Sequence, residues 1–150
     1  MALVSTKYRE FLIESQGFYL NLISKIYFLF GSINQNVISE LGVVLLDHSE
    51  YLAQRSLFRI NPLPSPERVY SAIYKCLIAL GDIARYKEST LDKVQGGQYQ
   101  LSKKYYWIAL HLIPESGNTY NQLAVLEAYC HRHAFALDLY FRRYFMKFVL

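Results

Sequence analysis

Apolar residues recur along this chain at helical rather than strand spacing. Between residues 4 and 30, Phe11, Phe18, Leu22, Ile26 and Leu29 fall on one stripe, and Leu12, Tyr19, Ile23, Tyr27 and Phe30 on a second. A helix apolar on two sides is expected to lie between neighbours. Gly31-Ser32 ends it. Residues 31–65 carry no clear period; Ile33 to Leu46 reads equally as a short helix or a loop lying on a bundle. The run Asn61-Pro62-Leu63-Pro64-Ser65-Pro66 breaks any helix. It also starts the next one, with Ser65 as N-cap and Pro66 at the first position.

Four further helices follow. Over 66–89 the buried face is Val69, Ile73, Cys76, Leu77, Leu80 and Ala84. Over 98–113 it is Tyr99, Leu101, Tyr105, Tyr106, Ile108, Ala109 and Leu112, stopped by Pro114. Over 119–131 it is Leu123, Ala124, Leu126 and Tyr129, and over 133–148 it is Phe135, Ala136, Leu139, Tyr140 and Tyr144. The pairs Leu101/Phe135, Ser102/Ala136 and Tyr106/Tyr140 are each 34 residues apart. That is the tetratricopeptide period, in which antiparallel helix pairs stack. The small residue, Ser102 or Ala136, is expected where one helix lets its neighbour approach closely. The fold class is therefore all-α, a TPR-like stack of antiparallel helices in one domain.

Composition narrows the function classes. Of the 150 residues 53% are hydrophobic and 19% charged, which excludes a disordered chain. A net charge of +4 permits an acidic partner or nucleic acid without requiring one. Glu14, Gln16, Asn21 and Lys25 interrupt the most apolar stretch, so it is not read as a transmembrane helix. No secretory signal pattern opens the chain, and a soluble cytoplasmic or nuclear protein is expected. Cys76 and Cys130 lie in apolar helical settings and read as reduced core thiols.

No enzyme constellation stands out. There is no glycine-rich phosphate loop and no GxSxG, and the acidic residues are scattered. Cys130-His131-x-His133 has no second ligand pair to complete a tetrahedral metal site. No cofactor is expected. What remains is binding. Arg85 and Tyr86 arrive side by side after the apolar run from Cys76 to Ala84. A guanidinium fork matches phosphate oxygens at two points, and a phenol can add a third donor. The same residues also fit a salt bridge from Arg85 to Asp82 with Tyr86 filling core. Asn121 either staples its helix to a neighbour or holds an extended ligand through one donor and one acceptor. Arg55 and Arg59, one turn apart, make either a basic patch or a solvated face.

The segment Gly81-Asp82-Ile83-Ala84-Arg85-Tyr86 resembles the GDxxRY signature of the 14-3-3 phosphoserine-binding helix. The longer run Cys76 to Tyr86 is followed by Tyr105-Tyr106, Leu112-Ile113-Pro114 with Gly117, and Tyr120 to Leu126. Glu14 to Tyr19 adds an "EAxxGFY"-like segment. Together these resemble the 14-3-3-like amino-terminal domain of the Est/Smg family, over about residues 10–30 and 70–150. That family holds telomerase-associated proteins and adaptors of nonsense-mediated mRNA decay. The resemblance implies that Arg85 and Tyr86 bind a phosphoserine or phosphothreonine, that Asn121 holds the peptide main chain, and that Arg142 is structural or lies at the groove edge. It implies a phosphorylated protein segment of decay-factor type as partner. The alternatives are a telomerase-associated scaffold that meets telomerase components, RNA or single-stranded telomeric DNA, and an interaction module with a vestigial pocket. The family pocket takes a further lysine from a helix upstream of the "GFY" helix. That helix is not found here, so a partial domain is expected, with Arg55, Arg59 or Lys7 as substitute cations.

Overall fold

The computed structural model describes residues 2–30, 41, 64–91 and 99–146. Among these are five helices and no strand: α1 (Ala2–Phe30), α2 (Pro66–Leu91), α3 (Gln100–Leu112), α4 (Gly117–Tyr129) and α5 (His133–Met146). Each packs against the next in chain order. The register is antiparallel. Along α2 and α3, Glu88 meets Leu101, Gly81 meets Ser102, and Tyr74 meets Thr119 just beyond the α3–α4 turn. Along α4 and α5, Glu127 meets Arg132 and Asn121 meets Arg143.

The helix ends follow local chemistry. Pro66 is the first residue of α2, and the Ser65 carbonyl accepts from the Arg68 and Val69 amides. Tyr99, which precedes α3, has φ 46°, and its side chain makes no capping hydrogen bond. Glu88 of α2 caps the helix instead: its Oε1 accepts the Leu101 amide at 3.1 Å. A carboxylate there also suits the positive end of the α3 dipole. Helix α4 closes in a Schellman turn, in which Arg132 N–H reaches Glu127 O and His131 N–H reaches Ala128 O. His131 holds the left-handed position (φ 58°) that glycine usually takes.

Two cores form. The first joins Ile23 of α1, Leu41, Val69, Ile73, Cys76, Leu77 and Leu80 of α2, and Tyr105, Ile108 and Ala109 of α3. Burial there pushes the Cys76 thiol pKa up, as suits a packed sulfur. The second joins Tyr106 and Leu110 of α3 with Tyr120, Leu123, Ala124 and Leu126 of α4 and Leu139 of α5.

The α2–α3 seam is the closest approach that the repeat predicts. Ser102 is fully buried and donates to the Gly81 carbonyl at 2.8 Å. The Tyr106 ring packs directly on Gly81: a Cβ at that position would stand 2.2 Å from Tyr106 Cε1.

Several expected core positions lie outside. Phe11 and Phe18 are each 62% exposed, whereas Leu12 and Ile23 are buried. So α1 covers its second stripe and, from the first, Leu22 and Ile26, which pack on the core at its C-terminal half. Phe11 and Phe18 stay out because α1 packs on α2 from one side. Phe135, Tyr140 and Tyr144 are exposed on α5, where Ala136 and Leu139 alone are buried. Leu101 and Tyr129 are exposed as well. The 34-residue period still sets orientation at two of its three pairs. Leu101 and Phe135 both face out, and Ser102 and Ala136 both face in. It fails at Tyr106 and Tyr140, because α5 has α4 on one side and no later helix over it among the described residues. Helix α4 begins at Gly117 rather than 119, which puts Asn121 past its first turn.

Candidate functional site

The GDxxRY segment spans about two turns of α2, and the fold gives each of its named residues a physical role. Gly81 lacks a side chain so that Tyr106 can approach. The Tyr106 hydroxyl then donates to Asp82 Oδ1 at 2.8 Å. The same Oδ1 accepts from Arg85 Nη2 at 3.0 Å, one turn along. The Arg85 guanidinium carbon in turn sits 4.6 Å from the centroid of the Tyr86 ring, which is cation–π distance. The result is a relay from the α3 ring to a fixed guanidinium.

The relay is electrostatically consistent. Burial works against the charge of Arg85, but its bond to Asp82 and the nearby Tyr106 phenol outweigh that and raise its pKa above the ordinary arginine value. Burial and the neighbouring Asp82 carboxylate together raise the Tyr106 pKa well above that of a free phenol, against the opposing pull of Arg85. Tyr106 is therefore a neutral donor and Arg85 a permanent cation at any physiological pH.

Arg85 is not saturated. Its side chain is 20% exposed, and Asp82 engages one of its five N–H groups. Its Nε–H is screened from water and has no acceptor among the described residues. An unmet donor of this kind costs about 1–3 kcal/mol. The geometry thus joins the two sequence readings of Arg85: a salt bridge to Asp82 exists, and it leaves donors over. Tyr86 is 43% exposed and does not fill core.

Asn121 is held elsewhere. Its Oδ1 accepts from Arg143 Nη1 of α5 at 2.6 Å, and it shares no hydrogen bond with Arg85 among the described residues. The staple is therefore present, and the amide's acceptor is already engaged. Arg142 points away on the exposed side of α5 and pairs with Asp138 at 2.9 Å. Arg55 and Arg59 lie outside the described residues.

Sequence reasoning passed over Tyr106 as an orienting group and Arg143 as the partner of Asn121. The signal for Tyr106 was its place beside the repeat's small position. It also passed over Lys87, whose Nζ donates to Gln16 Oε1 of α1 at 2.7 Å, while Gln16 Nε2 donates to the Tyr105 hydroxyl. That chain ties α1 to the end of α2 that carries Arg85.

A second polar cluster lies at the α3–α4 seam. Lys103 Nζ stands 3.1 Å from Glu127 Oε1, and Arg132 clasps the same carboxylate. Beside it is a cleft of about 340 Å³, lined in part by Trp107, Phe135, Arg132 and Arg142. Among the described residues no three potential metal ligands gather, and no helix is long and apolar enough to cross a membrane.

Residues 1–91 match the family model described as telomerase activating protein Est1, and residues 102–143 match the one described as Est1 DNA/RNA binding domain. The nonsense-mediated mRNA decay factor SMG7 of Arabidopsis thaliana is 31% identical over 145 residues, which is 95% of this chain and 13% of that protein. The telomerase-binding protein EST1A of Danio rerio is 32% identical over 115 residues, 75% of this chain and 7% of that protein. SMG7 of Danio rerio is 29% identical over 140 residues, 92% and 10% respectively. The chain spans about an eighth or less of the length of these curated relatives. No solved structure matches it.

Proposed function

The chain belongs to the Est1 telomerase activating protein family, and from that premise we propose that it is a non-enzymatic adaptor segment that reads phosphoserine or phosphothreonine. Its phosphate receptor is Arg85 on α2, with Tyr86 beside it and Asn121 holding the peptide main chain. The observation that supports this reading is the incomplete coordination of Arg85. Asp82, itself held by Tyr106, fixes the guanidinium on a rigid helix, yet the side chain stays 20% exposed with Nη donors left over for an oxyanion. A pre-positioned fork is what two-point phosphate recognition requires, because the entropy of ordering a long side chain has already been spent. The likeness to the SMG7 decay factors favours a decay-factor partner, met in the cytoplasm or nucleus.

The test is a fluorescence-anisotropy titration of a labelled nonapeptide with a central phosphoserine among glycines and alanines, against its unphosphorylated twin. Phosphate-dependent binding that Arg85→Glu abolishes is expected. Equal binding of the two peptides would sink the reading.

A second reading has its own support. The match of residues 102–143 to a DNA/RNA binding domain, and the name of the telomerase-binding relative, favour a telomerase-associated scaffold. The cleft with Trp107, Phe135, Arg132 and Arg142 offers ring faces and cations suited to a single-stranded base and its phosphate. Trp107 is the single tryptophan, so its fluorescence reports on this cleft. Salt-dependent quenching by a G-rich DNA oligonucleotide would favour the scaffold; unchanged fluorescence at low salt would count against it.

A further inference from the structure

Asn121 and Arg143 form a built pair that fixes which way an amide faces. Arg143 Nη1 donates to Asn121 Oδ1 at 2.6 Å. A guanidinium has donors only, so the atom facing it must be the amide oxygen. The NH2 group is thereby turned the other way. It is neither bonded to protein nor buried among the described residues.

The pair rests on prepared ground. Arg143 crosses the first turn of α4 where Gly117 has no side chain. A Cβ there would stand 3.4 Å from the Arg143 carbonyl oxygen and 3.6 Å from its Cγ. The Arg143 stem therefore packs against the start of α4 at ordinary contact distance, and it carries the guanidinium to Asn121. The adjacent Arg142 takes no part, since it is paired with Asp138 on the exposed side of α5.

We infer that Arg143 is a positioning residue of the peptide site: it locks Asn121 with its NH2 outward, as a donor that takes a backbone carbonyl of an extended phosphopeptide. This rests on the phosphopeptide reading above and deepens it. An unlocked amide can turn its oxygen to the ligand and meet a carbonyl with an acceptor. The locked amide cannot, so the contact is fixed in advance rather than selected on binding. The assignment also changes the expected chemistry at Asn121, from a donor and an acceptor together to a donor alone.

The experiment is a set of anisotropy titrations with the phosphoserine nonapeptide and its unphosphorylated twin. The proteins are wild type, Asn121→Ala, Arg143→Met, the double variant and Arg143→Lys. Methionine keeps a stem over Gly117 and removes every donor; lysine keeps a donor. Circular dichroism establishes that each variant is folded at the temperature used, and if Arg143→Met is not, Arg143→Gln takes its place. Asn121→Ala and Arg143→Met should each weaken phosphopeptide binding about two- to tenfold, the range of one hydrogen bond. The double variant should be no weaker than Asn121→Ala, and Arg143→Lys should recover part of the loss.

Additive losses, or a loss in Arg143→Met with none in Asn121→Ala, would overturn the positioning role. So would normal binding by Arg143→Met, even if that variant melts earlier, because a purely structural staple would lower stability alone. Failure of the parent reading looks different: wild type would then bind both peptides equally or neither, whatever stands at position 143, and the inference would fall with it.

Discussion

Replacing Gly81 by alanine tests the pedestal beneath Arg85. By helix propensity alone the change is favourable, since glycine inside a helix costs about 1 kcal/mol relative to alanine. The structure predicts the opposite sign. The new Cβ would lie 2.2, 2.6 and 2.7 Å from three atoms of the Tyr106 ring. To regain the 3.4 Å of ordinary contact, the ring or the helix must retreat by about 1.2 Å. Tyr106 is wholly buried between α2 and α4, so it has nowhere to rotate. The retreat stretches two bonds now at 2.8 Å, Ser102 to Gly81 and Tyr106 to Asp82, beyond hydrogen-bond range. Overpacking costs about 1–3 kcal/mol, the neutral bond about 1 and the bond to a carboxylate about 1.5–3. After the gain in propensity the net loss is about 2.5–6 kcal/mol. Urea denaturation followed by circular dichroism reads this as a lower midpoint at unchanged slope. In a Tyr106→Ala background the same substitution should cost nothing further, because the clash is gone. A midpoint at or above wild type for Gly81→Ala alone would refute the close-approach account.

Other substitutions follow from the same contacts. Tyr106→Phe should reduce alkaline sensitivity. The folded-state pKa of Tyr106 is raised, so its contribution is complete below the unfolded value of about 10 and is lost as pH climbs above it. Denaturation midpoints at successive pH values should therefore fall more steeply in wild type than in Tyr106→Phe. Glu127→Gln should destabilise by about 3 kcal/mol, because it strips the carboxylate from Lys103, whose side chain is only 11% exposed; a midpoint equal to wild type would contradict this. His131→Gly should stabilise by about 0.5–1 kcal/mol by relieving a left-handed non-glycine residue at the end of α4, read as a higher melting temperature. Phosphopeptide binding should weaken as pH falls through about 6, where phosphoserine loses its second charge, while Arg85 stays charged throughout.

The helices were legible because their apolar spacing reports burial directly, and the breaks at Pro66 and Pro114 report local backbone chemistry. Ser102 was legible as a close-approach position from the 34-residue period, and the geometry at Gly81 answers to it. Which side of α1 and α5 is covered was not legible. Period gives the faces of a helix but not its neighbours, so Phe11, Phe18, Tyr140 and Tyr144 read as core and stand exposed. At the site, Arg85 and its link to Asp82 lie within one turn of one helix and could be read from the sequence. The Tyr106 and Arg143 contacts could not, because they join residues 24 and 22 positions apart across helix pairs. Asn121 shows the same limit: its type suggested an amide contact, but the direction it faces depends on a helix that follows.

The most direct test of the central claim is two-dimensional 1H–15N NMR of the protein as the phosphoserine nonapeptide and its unphosphorylated twin are added in turn. The account predicts phosphate-dependent shifts in the backbone amides from Gly81 to Lys87 and in the Asn121 side-chain NH2, with the Trp107 indole N–H unmoved. Identical responses to the two peptides, or shifts confined to Trp107 and its surroundings, would contradict it and move the binding surface to the α3–α5 cleft.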